Sequence, residues 1–105
     1  MHTRFDDLGR FSDPSLLILS SLADGPKHGY AMITDIAAFA GVTLEPGTLY
    51  GAIRRLEQRG WIEAQPSTDR RHPYALTAAG ETVLREQIRT MQAVARVGAK
   101  RLALS

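Results

Sequence analysis

The stretch "GTLYGAIRRLEQRGWI", Gly47 to Ile62, decides how the chain is read. Its apolar residues recur at helical spacing. At about 100° per residue, Ala52, Ile53 and Leu56 cluster around Leu49, while Gly47, Gly51, Arg54 and Gln58 point the opposite way. Thr48 and Arg55 lie on one flank, Tyr50 and Glu57 on the other. Pro46 suits the first helical position and Gly60 the position just past the last. An interior glycine costs a helix about 1 kcal/mol against alanine. Gly51, on the face turned away from the apolar side, is therefore expected to meet a close neighbour, either DNA or another protein element.

Upstream, "SDPSLLILSSLADG" reads as a first helix, capped by Ser12 or Asp13, with Pro14 in its first turn and an apolar face of Leu16, Leu17, Leu19 and Leu22. "HGYAMITDIAAFAG" reads as a second, its core side formed by Tyr30, Ile33, Ile36 or Ala37, and Ala40, and its stop by Gly41. A short extended piece, "VTLE", leads into the third.

Downstream, "WIEAQ" and "HPYAL" read as two short strands joined by "PSTDRR". Pro73 cannot donate to a ladder, so it places the second strand at an edge or at a strand start. From Thr77 a long final helix is expected, opening T-A-A-G rather than with a full capping box. Leu84, Ile88, Met91, Ala95, Gly98 and Leu102 alternate at steps of four and three, a short heptad seam suited to a second subunit or to the helix's own domain. Phe5, Leu8 and Phe11 mark one side of a short N-terminal segment.

Composition narrows the function. The 105 residues allow one modest core, and 44% hydrophobic with 23% charged residues is ordinary for a globular chain. The sequence contains no cysteine, which excludes disulfides, thiolate zinc sites and cysteine nucleophiles and fits a reducing cytosol. No apolar run approaches the length of a membrane span, and "MHTRFDDLGRF" lacks the pattern of a signal peptide, so a cytoplasmic protein is expected. No carboxylate pair, metal-ligand cluster, phosphate-binding glycine loop or nucleophile triad accompanies His28, so no enzyme activity, cofactor or metal is expected.

The net charge of +2 is unevenly placed: −3 over residues 1–45, +2 over 46–77 and +3 over 78–105. Eleven of the thirteen cations are arginine, whose planar fork matches phosphate and base edges. On charge alone, a solvated arginine-rich surface is the better account.

Three helices, a hairpin and a long helix form the order of a winged helix-turn-helix, mainly α with a small β-hairpin, followed by a C-terminal dimerisation helix. The third helix then enters the major groove and the hairpin, the wing, reaches toward the backbone. Thr48, Tyr50, Arg54 and Arg55 are the candidate DNA contacts on the helix, Arg70 and Arg71 those on the wing, with Lys27 as a phosphate contact. Tyr50 reads equally well as a core aromatic and Lys27 as a loose loop lysine, while the alternative for Arg55 is an ion pair with Glu45 or another acid and that for Arg70 and Arg71 a solvated turn. Leu84, Ile88, Met91, Ala95 and Leu102 are the candidate dimer contacts. The expected divisions are an extension over 1–12, a DNA-binding domain over 13–77 and the dimerisation helix over 78–105.

Four motifs sharpen this: His28-Gly29-Tyr30, Gly47-Thr-Leu-Tyr50, R-L-E-x-x-G from Arg55 to Gly60, and Y-x-L-T-x-x-G from Tyr74 to Gly80. In this order, over roughly residues 14–84, they resemble the PadR family of bacterial transcriptional regulators, in its smaller subgroup with a single C-terminal helix. The resemblance implies a homodimeric, ligand-responsive repressor on a pseudo-palindromic DNA operator, relieved by a small aromatic or hydrophobic effector. The alternative is a winged-helix module that binds protein through the same glycine-bearing face. Glu45 at the helix cap and Pro73 in the wing depart from the family pattern. The last helix has no tryptophan, so an aromatic slot there is not carried over. Trp61 reads as core.

Overall fold

A computed structural model describes residues 13–68 and 70–103. The expected N-terminal extension, with Phe5, Leu8 and Phe11, lies outside the described residues. Helix α1 (Pro14–Ser21) starts at Asp13, whose carboxylate accepts the Ser15 amide at 2.9 Å, and a 3-10 turn (Leu22–Asp24) closes it. Helix α2 (Gly29–Ala40) ends on Gly41, whose φ of 68° lets its N–H reach back to the Ala37 carbonyl at 3.1 Å. Helix α3 (Pro46–Gln58) has Pro46 in its first turn. Strands β1 (Ile62–Ala64) and β2 (Tyr74–Leu76) pair antiparallel, Ile62 with Leu76 and Ala64 with Tyr74, and α4 (Ala78–Arg101) follows.

The mainly helical fold with one hairpin and a long final helix is therefore as the sequence indicates. The strands are three residues each, shorter than the five-residue stretches expected. Pro73 stands just before β2. Tyr74 also exchanges two backbone hydrogen bonds with Lys27, at 2.9 and 3.0 Å, so the loop before α2 is stitched to the wing's base.

The core draws on every element but β2, whose Tyr74 and Leu76 pack against it half-buried: Leu17, Ile18, Leu19 and Leu22 come from α1 and its turn, Met32 and Ile36 from α2, and Leu44 from the loop. Leu49, Ala52, Ile53 and Leu56 come from α3, Ile62 from β1 and Leu84 from α4. The α3 side expected to face the body does so in full. On α2 the buried line runs instead through Gly29, Met32 and Ile36, and Tyr30 is exposed. Both lines have helical spacing, and the choice falls to Gly29, which lets another side chain lie on the helix.

The base of α4 is tied by Thr77. Its hydroxyl donates to the Gly60 carbonyl at 2.6 Å and accepts the Gly80 amide at 3.0 Å, and its own N–H meets the Trp61 carbonyl at 3.1 Å. A Cβ at Gly80 would overlap that carbonyl, with the carbonyl carbon at 2.9 Å. The first two turns of α4 thus belong to the body. Leu84, expected on the dimer seam, is instead 5% exposed within the core. Past Gln87 the helix stands clear of the body, with Ile88, Met91, Val94, Val97 and Leu102 exposed.

Candidate nucleic-acid interface

Helix α3 sorts its side chains as its spacing requires. Leu49, Ala52, Ile53 and Leu56 are buried, and Gly47, Thr48, Arg54, Arg55 and Gln58 are exposed. A Cβ at Gly47 would meet nothing within 4 Å, and one at Gly51 only an Arg55 guanidinium nitrogen at 3.8 Å. No described element packs on that face, so the propensity lost at Gly51 is not recovered by packing among the described residues. Arg54 and Arg55 form no ion pair with any described residue, and the pairing of Arg55 with Glu45 is not made.

Tyr50 combines its two readings. Its ring lies on Gly29 at the start of α2, where a Cβ would sit 2.8 Å from the ring carbon that bears the hydroxyl, yet 38% of the residue is exposed. The wing's base is close by. Burial raises the Tyr74 hydroxyl above its ordinary pKa, and the neighbouring Glu57 and Tyr50 add to the shift. The tyrosine of the third helix thus lies on the glycine that opens the second. Sequence reasoning treated these as separate motifs. It also missed Tyr30, next to Gly29 and largely exposed, because its spacing matched a core position.

Lys27 differs from both of its readings. Its side chain is 17% exposed, and its ammonium donates to the Ser21 carbonyl at 2.5 Å and to the Asp24 carboxylate. The hydrogen bond from Lys27, then its charge, hold the Asp24 carboxyl below the usual carboxylate range. The buried Ser21 hydroxyl in turn donates to Asp35 at 2.7 Å. Lys27 therefore ties the end of α1 to the wing, and Ser21 ties α1 to α2. Arg70 and Arg71 are both exposed beyond the strands.

On the other side of α3, Arg59 stacks over the Trp61 ring at 5.0 Å. Trp61 is half-buried, packed against the core as expected, and also lines an open groove of about 410 Å³ between α1, α3 and α4, together with Leu16, Leu19, Val83 and Gln87.

A winged helix-turn-helix with a bare, cationic third helix suits a transcriptional regulator, and comparison with known proteins decides the family. The model of the transcriptional regulator PadR-like family matches residues 18–86. The chain belongs to the PadR-like family. This PadR-like chain is 34% identical over 84 residues to the transcriptional regulator Rv3488 of Mycobacterium tuberculosis, covering 77% of this chain and 78% of that protein. It is 40% identical over 82 residues to an uncharacterised 37.1 kDa protein of the Streptomyces fradiae transposon TN4556, covering 78% of this chain but only 24% of that protein. The chain thus spans about a quarter of the transposon protein's length. A PadR family regulator from Clostridium difficile R20291 superimposes with a TM-score of 0.76 at 24% identity, over 85% of this chain and 97% of that one. Members of the family are regulators of transcription, not enzymes. Among the described residues, no helix is long and apolar enough to cross a membrane.

Proposed function

We propose that this PadR-like protein is a cytoplasmic, dimeric repressor that binds a pseudo-palindromic DNA operator sequence-specifically and is released by a small aromatic or hydrophobic effector. The observation that carries the DNA reading is the outer face of α3. Gly47 and Gly51 leave it low, Arg54 and Arg55 leave it cationic, and no described residue covers it. Thr48 in the first turn is placed for a base edge, Arg54 for guanine or phosphate, and Arg55 for the groove's rim. Tyr50, with Tyr30 beside Gly29, offers hydroxyls to the backbone, and Arg70 and Arg71 extend the contact along the wing.

Dimerisation is supported by Ile88, Met91, Ala95 and Leu102, which share one face of the free half of α4. A small domain gains buried area by covering such a face. For the effector, the candidate place is the groove beside Trp61, where Leu16, Leu19 and Val83 stand among the polar Asp13, Arg55, Arg59 and Gln87.

The test is a mobility shift on the DNA upstream of the protein's own gene across a salt series. Binding through several arginines releases counterions and should weaken steeply as salt rises. Absence of a shift even at low salt would sink the DNA reading and leave a winged helix that binds protein through the same face.

A further inference from the structure

The groove between α1, α3 and α4 is open on one side and mixed in character. Leu16, Trp61 and Val83 are half-buried there, packed against the core yet lining the groove. Arg55 and Arg59 stand beside them, one helical turn apart and both exposed. Like charges at that spacing repel. Neither forms an ion pair with a described residue, and Arg59 is engaged by the Trp61 ring at 5.0 Å. The groove therefore suits an occupant that is apolar and acidic at once.

A segment of that kind is attached at its rim. Asp13, the first described residue, is itself part of the lining. The twelve residues before it, "MHTRFDDLGRFS", carry Phe5, Leu8 and Phe11 at steps of three, with the acids Asp6 and Asp7 between the first two. An extended chain spans at most about 3.5 Å per residue, so from Asp13 the chain reaches ~7 Å at Phe11, ~17 Å at Leu8 and ~28 Å at Phe5. Packed helix axes lie about 8–10 Å apart, so this length is enough to cross the groove from α1 to α4.

We propose that residues 1–12 fold back over this groove in the same chain, seating Phe5, Leu8 and Phe11 against Leu16, Trp61 and Val83 and setting Asp6 and Asp7 toward Arg55 and Arg59. The contact removes apolar surface from water on both sides. The acids offset the repulsion between the two arginines. Attachment at Asp13 makes docking intramolecular, at an effective concentration in the mM range, which favours this segment over any free peptide. The inference goes beyond the DNA reading and does not depend on it. An effector entering the groove would have to displace the segment, and Arg55 would be shared between the segment's acids and phosphate.

Trp61 is the chain's single tryptophan and lines the groove, so its fluorescence reports the occupant. The parent chain is compared with the Phe5→Ser/Leu8→Ser/Phe11→Ser variant by emission wavelength and acrylamide quenching, with circular dichroism to show that both are folded. The variant should emit further to the red and be quenched more strongly. Identical emission and quenching would overturn the proposal. Because the chain has no cysteine, Gly9→Cys/Gln87→Cys gives a second reading that stands even where the triple variant does not fold. Treated with a short bismaleimide, it should give a single-chain mass with one reagent bridging both thiols. Linked pairs of chains, absent from a Gln87→Cys control, would place the segment on another copy. Thiols that each take up a separate reagent would mean that the groove is uncovered. Either outcome overturns the proposal.

Discussion

The ring of Tyr50 occupies the space that a side chain at Gly29 would need. A Cβ at Gly29 would stand 2.8 Å from the ring carbon bearing the hydroxyl, closer than real contacts allow. The second motif of the sequence, His28-Gly29-Tyr30, is thereby explained by the third, Gly47-Thr-Leu-Tyr50. Gly29→Ala should push the Tyr50 ring aside, at a stability cost of about 1 kcal/mol, and should weaken operator binding several-fold. Combined with Tyr50→Ala, the two changes should cost less than the sum of their separate effects. A thermal denaturation cycle of the four proteins checks this, and strict additivity would mean that the two residues are not coupled.

Gly80 is a harder case, because what stands in its way is the Trp61 backbone and not the end of a side chain. Gly80→Ala should cost about 3 kcal/mol, since the β1 entry and the start of α4 would have to separate. Urea unfolding of this variant beside Gly29→Ala should show the larger loss at Gly80. The reverse order would contradict the packing described.

The fold was largely legible because local rules agreed with one another. Asp13 and Thr77 capped helices, Gly41 ended one, and the apolar spacing of α3 gave its buried side correctly. What was not legible depended on contacts between segments. Tyr30 and Met32 have equally plausible helical spacing, and only the Tyr50 ring on Gly29 decides which is buried. Leu84 and Ile88 belong to one heptad pattern, and only the position of the body shows that the first is core. Lys27 looked free because its acceptors, a carbonyl and an exposed carboxylate, carry no motif. For the candidate site, spacing showed which α3 residues face outward, whereas the Tyr50–Gly29 contact behind them gave no periodic signal.

The division of α4 into two parts yields opposite outcomes for two substitutions. Leu84→Ala should cost about 2–5 kcal/mol of stability, because a core leucine is lost. Met91→Glu should keep the helical content and give monomers. Circular dichroism with sedimentation separates the two effects. Loss of structure in Met91→Glu would indicate that the seam is packed within one chain.

Lys27→Ala should lower stability by about 1 kcal/mol and leave the salt slope of DNA binding unchanged, because its ammonium is already engaged. The Asp24 tie adds an acid dependence. Its folded pKa is depressed, so its contribution is present above the unfolded value, about 3.9, and is lost as pH falls through the folded value. Asp24→Asn should therefore show a shallower loss of stability than the parent chain between pH 5 and pH 2 (a range set by ~3.9). A reduced salt slope in Lys27→Ala would place that lysine on phosphate instead.

The central claim is that the outer face of α3 is kept low for DNA, and Gly51→Ala tests it most directly. The site is open among the described residues, so alanine should raise helix stability by about 0.5–1 kcal/mol. The same methyl group would stand between helix and duplex, so operator affinity should fall. The measurement is melting temperature and operator affinity on one preparation, with the first predicted to rise and the second to fall. A rise in both, or a stabilised protein that binds its operator as before, would contradict the account.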